Sequence, residues 1–339
     1  MTKPVGMRSV VAWLGTGCIM IAAMVVIGGI TRLTGSGLSI TEWEPIMGAL
    51  PPMSEAAWQE AFAKYQRIPE FELVNSRMDL AGFKRIYFWE WLHRNWGRFM
   101  GIVFIVPFVV FWRKGLLKGW LMRRGIAILL GGGLVGALGW FMVKSGLADN
   151  PDVSHFRLAI HLCAAFTVFC MVLWTVFDIR AGKRAFAGDG SIAGGWARVL
   201  LVLLAVQIVW GAFTAGLDAG RIYSTWPLMN GEFMPENVTA FGSFWKDFAD
   251  HKDGVQFVHR NLAWLVAVGF IIYALRFRSE PGLPWRLLLG AVILQFVLGV
   301  ITLLTHVHLA LGVLHQLGAL MLLAVLLHAM HATGRSTAA

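Results

Sequence analysis

The chain has 339 residues, 57% of them hydrophobic and 14% charged, with a formal net charge of +10 and a mean hydropathy of +0.65. A soluble domain carries roughly 25% charged residues, so the composition excludes an ordinary water-soluble fold. The positive charge does not indicate a nucleic-acid partner, because it is distributed as the positive-inside rule of membrane proteins requires.

A hydrocarbon core about 30 Å thick needs about 20 apolar residues per helix. Eight spans meet that criterion, near 10–31, 89–112, 126–144, 157–178, 197–216, 257–275, 285–304 and 309–330. The first is too long for a cleavable signal and reads as a membrane helix. It ends in Gly28-Gly29-Ile30-Thr31-Arg32. A long loop over about 33–88 follows, passing Trp43 and Pro45. Within it Ser54–Tyr65 reads as a short amphipathic helix, with Trp58, Phe62 and Tyr65 on one face and Ser54 as its cap. Loops of this length are usually functional, and this one is expected to lie as a lid over the first helix bundle.

Span two opens with Glu90-Trp91-Leu92-His93-Arg94-Asn95. The connection after it, with Arg113, Lys114, Lys118, Arg123 and Arg124, has no acidic residue. Lys3 and Arg8, then Arg180, Lys183 and Arg184, then Arg276, Arg278 and Arg286 mark the same side, which places both termini in the cytoplasm. The run Gly131-Gly132-Gly133 in span three is expected to serve close helix packing, and many of the 16 tryptophans to form an interface belt. Cys18, Cys163 and Cys170 all fall inside spans and read as buried packing residues.

The second four spans echo the first. Leu92-His93-Arg94-Asn95 corresponds to Val258-His259-Arg260-Asn261, and Ile160-His161 to Leu314-His315. Spans one and five both end in Gly- and Thr-rich sequence, and both following loops reach a Trp near a Pro (Trp226-Pro227 in the second). Four spans per repeat is an even number, so the repeats share one orientation. The expected architecture is an all-α integral membrane protein of eight transmembrane helices, arranged as two tandem-duplicated four-helix bundles. Residues 1–180 form the first half and 181–339 the second.

Four histidines, His93, His161, His259 and His315, lie at matching depth, two per half. Imidazole is a standard axial ligand of haem iron, and bundle ligands project inward from facing helices. Structural zinc wants about four nitrogen or sulfur ligands close together, whereas each half here offers two. The expectation is one bis-histidine haem site per half. Glu90 shares a helix face with His93, and Arg94 and Arg98 follow it. Ionisable groups within a membrane helix point to function. In the second half Gln256 stands where Glu90 stands in the first. Acid–base or charge-stabilising chemistry is thereby open to the first site, and a permanent cofactor is assigned to the second. Arg32, Arg94, Arg98, Arg221 and Arg260 are placed to meet haem propionates. His155, His306 and His308 read as interfacial, and His251, His328 and His331 as unrelated to the sites.

The chain resembles the haem A synthase family in its proteobacterial and mitochondrial form. The resemblance rests on Gly29-Ile30-Thr31-Arg32-Leu33-Thr34-Gly35-Ser36-Gly37-Leu38-Ser39, on Phe88-Trp89-Glu90-Trp91-Leu92-His93-Arg94, and on His161, His259-Arg260 and His315. It covers nearly the whole chain. The family's Gram-positive branch has a cysteine pair in outer loops that this sequence lacks. The resemblance implies an enzyme of the bacterial inner membrane that oxidises a methyl group of haem O to a formyl group, giving haem A for terminal oxidases. It implies haem B on His259 and His315, the substrate haem addressed by His93 and His161, and assistance from Glu90. Haem O synthase and oxidase assembly factors are the partners it implies. A dihaem electron-transfer cytochrome is the other reading the residues leave open.

Overall fold

A computed structural model describes residues 5–42, 47–147, 152–182 and 191–333. Trp43, Pro45, Lys3, Lys183, Arg184 and the tail after Arg335 therefore lie outside the described residues. Among those described, regular structure is helical, apart from a single bridge between Met229 and Glu232.

In chain order the helices are α1 (Val5–Leu33), α2 (Glu55–Tyr65), α3 (Pro69–Leu73), α4 (Leu80–Arg113), α5 (Gly119–Val143), α6 (His155–Ala181), α7 (Ile192–Gly216), α8 (Phe244–Ala249), α9 (Lys252–Arg276), α10 (Trp285–Leu304) and α11 (Leu309–Thr333). Eight of them, all except α2, α3 and α8, are long and apolar enough to cross a membrane. They match the eight expected spans. Lipid solvates apolar side chains as well as protein does, so these helices need not be amphipathic. On α7, Leu200 and Leu204 are buried while Val199 and Val202 point outward.

The helices outrun the hydropathy windows where polar residues can still be capped or packed. α4 starts at Leu80 rather than near 89, because Asp79 accepts a hydrogen bond from Gly82 N (2.7 Å) and its first turns bury Phe83 and Ile86. The helix expected at Ser54–Tyr65 is present as α2, with Ser54 Oγ accepting from Ala57 N. Two glycines of the expected packing run behave otherwise. A Cβ on Gly132 or Gly133 would meet nothing within 4 Å, so neither glycine serves a close helix contact. The three cysteines are free thiols.

The chain packs as two compact units, residues 19–165 and residues 1–18 with 166–339. In the second, α7 packs on α9, α9 on α10, α10 on α11, and α11 on α7, closing a four-helix ring. At one end of that unit His331 Nε2 lies 3.0 Å from Asp178 Oδ1, fully buried and flanked by the rings of Trp174 and Phe177.

In the unit of residues 19–165, α4 packs on α5 and α2. Trp96 Nε1 donates to Met20 O (2.9 Å) and Thr31 Oγ1 to Trp89 O (3.2 Å), fastening α1 to α4. Over the end of this unit, α2 and α3 build their own apolar cluster. Leu38, Phe62, Tyr65, Ile68, Phe83 and Ile86 form its centre, with Trp58, Phe71, Val143, Leu147 and Val153 around them. The first long loop is thus a packed cap whose contacts reach from α1's exit to α5's end.

Candidate functional site

Each of the four histidines lies against a glycine of a neighbouring helix. A Cβ on Gly28 would come 3.2 Å from His93 Nε2, and on Gly139, Gly211 and Gly299 it would come 3.1, 3.0 and 2.9 Å from Cε1 of His161, His259 and His315. Real Cβ atoms rarely tolerate such distances. Glycine is what lets each imidazole bring a ring edge this close to a neighbouring helix backbone. The same device occurs once in each successive helix pair: α1 with α4, α5 with α6, α7 with α9, and α10 with α11.

The His259 and His315 rings have centroids 6.4 Å apart and planes at 84°. A metal–imidazole bond is about 2 Å and each nitrogen lies about 1.1 Å from its ring centre, so two rings flanking one ion have centroids about 6 Å apart. Gln295 Nε2 lies 3.2 Å from His315 Nδ1 and donates to His315 O at 3.0 Å. Gln207 Nε2 donates to His259 O (3.1 Å). Such outer contacts fix ring orientation. His259 Nδ1 and His161 Nδ1 are buried without a hydrogen bond. His93 and His161, both in the unit of residues 19–165, lie within electrostatic reach of each other. Among the described residues no group of three or more His, Cys, Asp or Glu could hold a bare metal ion. Two imidazoles per site, with macrocycle nitrogens making up the rest, is the donor set haem uses, and the His259–His315 spacing fits it.

Glu90, buried to 3% exposure, anchors the first site. Its Oε2 accepts from Ser39 Oγ (2.7 Å) and Ile40 N (2.7 Å), and its Oε1 from Arg94 Nε (3.0 Å) and Nη2 (2.6 Å). Arg94 also donates to Ile40 O (2.7 Å) and Glu42 O (2.9 Å). The pair therefore clamps the chain leaving α1 onto α4, one turn from His93.

The second half repeats the clamp with different chemistry. Gln256 Nε2 donates to Tyr223 O (3.0 Å), and Arg260 Nη2 to the carbonyls of Thr225 (2.7 Å), Pro227 (3.3 Å) and Leu228 (3.2 Å). Arg260 Nη1 stays buried with no partner. Beside it Tyr223 Oη donates to Asp253 Oδ1 (2.6 Å). Burial and then Asp253 push the Tyr223 phenol up to about 12, so it remains a donor at neutral pH.

The other expected residues are less central. Arg98 donates to Asn95 Oδ1 (3.2 Å), Arg32 ends α1, and Arg221 pairs loosely with Asp218 (3.8 Å). His306 Nδ1 meets Ser224 Oγ (2.8 Å), His251 pairs with Asp253 (3.4 Å), and His155 is buried against Phe156. Sequence reasoning missed the four glycines as ring partners, although each sits in its span at the depth of a histidine. It also missed Glu70 on α3. That side chain is buried to 8% exposure, has Oε2 without a partner, and lies within electrostatic reach of Glu90 and Asp152.

The helices define an integral membrane protein of eight spans in which the half-buried rings of His259 and His315 face each other. The chain belongs to the COX15-CtaA family, cytochrome oxidase assembly proteins, which it matches over residues 11–327. It is 46% identical to the Heme A synthase of Maricaulis maris, across 93% of both chains. It is 46% identical to that of Flavobacterium psychrophilum, across 96% of this chain and 98% of the relative. The Heme A synthase of Flavobacterium johnsoniae is 44% identical, across 96% and 97%.

Proposed function

We propose that this chain is a haem A synthase, which oxidises a methyl substituent of haem O to the formyl group of haem A for terminal oxidase assembly. The observation that carries this reading, beside the family, is the asymmetry between two matching histidine sites. One has the Glu90–Arg94 pair beside His93, and the other has Gln256 and Arg260.

In this reading residues 181–339 hold haem B through His259 and His315, and residues 1–180 take haem O at His93 and His161. Bound haem B supplies one-electron redox capacity to the membrane site. Gln295 and Gln207 keep its ligands oriented. Arg260 Nη1, a desolvated donor, and Arg94, Arg98 and Arg32 are the cations for propionates. Glu90 is a fixed negative charge one helical turn from His93. Such a charge stabilises positive charge developing on a substrate without reorganisation. The α2–α3 cap keeps water from the substrate end of the bundle. Net conversion of the methyl to a geminal diol would add the oxygens of two waters and release four protons and four electrons, the electrons going to an acceptor outside this chain, and loss of one water would leave the formyl group.

The charge asymmetry of the loops supports both termini in the cytoplasm of a bacterium, with both sites toward the outer face of the inner membrane. Haem O synthase and oxidase assembly factors are the partners this role calls for. The test is haem extraction from membranes of cells that make haem O with and without this protein. Haem A is expected when it is present. Bound haem B with haem O left unconverted would replace the synthase by an electron-transfer cytochrome.

A further inference from the structure

The Glu90 carboxyl group is fully engaged by its neighbours. A carboxylate offers about four lone-pair positions, and Ser39, Ile40 and the two nitrogens of Arg94 occupy them at 2.6–3.0 Å. Held by those donors, it leaves the proton traffic of the site to another group. The dehydration of a geminal diol requires one proton delivered to the departing hydroxyl and one taken from the hydroxyl that becomes the carbonyl. The two cancel, so a single group that both gives and takes a proton suffices.

Glu70 has the opposite surroundings. It rides on α3 in the cap, within electrostatic reach of Glu90, buried to 8% exposure with Oε2 unpartnered. Its Oε1 comes within 4.0 Å of where a Gly35 Cβ would be, at the exit of α1. Glu90 from α4, Asp152 from the segment before α6, and Tyr65 from α2 are the titratable groups facing it. Tyr65 Oη is itself held by Asn75 Nδ2 (2.7 Å). Arg94 is committed to Glu90. Neighbouring carboxyls cannot all ionise cheaply, and a buried carboxyl without a partner takes up a proton instead.

We propose that Glu70 is the proton-exchange residue of the N-terminal site, giving a proton to and taking one from the pocket in which the proposed function puts His93, His161 and Glu90. This rests on the reading of that pocket as the haem O site. Burial first, then Glu90 and Asp152, raises the Glu70 carboxyl to about 8, which suits a group that must both hold and release a proton near neutral pH.

The conservative variant E70Q separates this role from a packing one, because glutamine has the shape and neutrality of the protonated acid but cannot exchange. The holoenzyme variant is expected to keep its haem B spectrum and lose haem A formation by about 100-fold or more. E70D should recover part of the activity with a displaced alkaline limb. Infrared titration without haem O should show a carboxylic acid band that disappears between pH 7 and 9 in the parent protein and is missing in E70Q. Activity of E70Q within threefold of the parent overturns the proposal. If E70Q fails to retain haem B, the titration of the parent protein decides, and no such band overturns it. His93→Ala is the control for the underlying reading. Full haem A formation by that variant removes the haem O site from this pocket, and Glu70's role with it. Loss of product in His93→Ala together with an active E70Q removes Glu70's role alone.

Discussion

Gly211 on α7 and His259 on α9 form a matched pair, with the ring edge so close that a Cβ would lie 3.0 Å from Cε1. Gly299 and His315 repeat the arrangement at 2.9 Å. Any side chain at either glycine must push the imidazole off its seat, and a ligand misplaced by a fraction of an ångström no longer faces its partner ring. Gly211→Ala and Gly299→Ala are expected to reduce haem B per purified protein several-fold, read from the Soret band. Gly132→Ala, in open space, should leave it unchanged. Equal haem content in all three would remove the glycines from the ligand geometry.

Glu90→Gln tests the charge asymmetry. The Glu90 and Arg94 side chains are 4% and 13% exposed, so losing the anion leaves a largely desolvated guanidinium. Removing one partner of a buried pair costs about 3–5 kcal/mol, here partly relieved because Arg94 keeps the carbonyls of Ile40 and Glu42. Haem A formation is expected to fall by at least about 100-fold, while the haem B spectrum of the other half stays intact. Parallel loss of haem B and product would instead mark Glu90 as a structural residue of the whole chain.

The eight spans were legible because lipid imposes a length and an apolarity that no soluble segment needs to satisfy. The histidines and the His-Arg-Asn repeat were legible because a polar residue inside a span stands out. The partners of those residues were not. A glycine in a membrane helix looks the same whether it faces open space, as at Gly132, or an imidazole, as at Gly211. Only the packing separates them. Glu70 sits in a loop where acidic residues are common, and its burial is a product of the fold that no local pattern announces. Arg94 and Arg260 read as propionate cations, yet both spend donors on loop carbonyls. Backbone acceptors leave no trace in composition.

Arg260→Ala should loosen the loop that α9 holds. Its Nη2 serves the carbonyls of Thr225, Pro227 and Leu228 together, and lysine cannot reproduce that fork. Hydrogen exchange across residues 222–230 is expected to accelerate in both Arg260→Ala and Arg260→Lys. Haem B retention through purification should fall in both as well, because Nη1 is the buried donor left for an anion. Fast exchange with undiminished haem content would confine Arg260 to the loop.

Docking of the α2–α3 cap should weaken as pH rises. The Glu70 carboxyl stands at about 8 in the folded protein against 4.5 when unburied. The docked state therefore binds more protons than the undocked state between those values. Stability falls wherever the native state holds the excess proton and pH increases. The contribution is complete below about 4.5, declines through the interval and is gone above about 8. One proton linked to opening changes the opening constant by about tenfold per pH unit at most. Hydrogen exchange of the amides of Glu55–Leu73, corrected for its intrinsic pH dependence, measures that slope. E70Q carries no titrating group at this position and should flatten it, while Asp152 and Tyr65 remain to report any residual coupling. An equal slope in E70Q would transfer the linkage to one of those two neighbours.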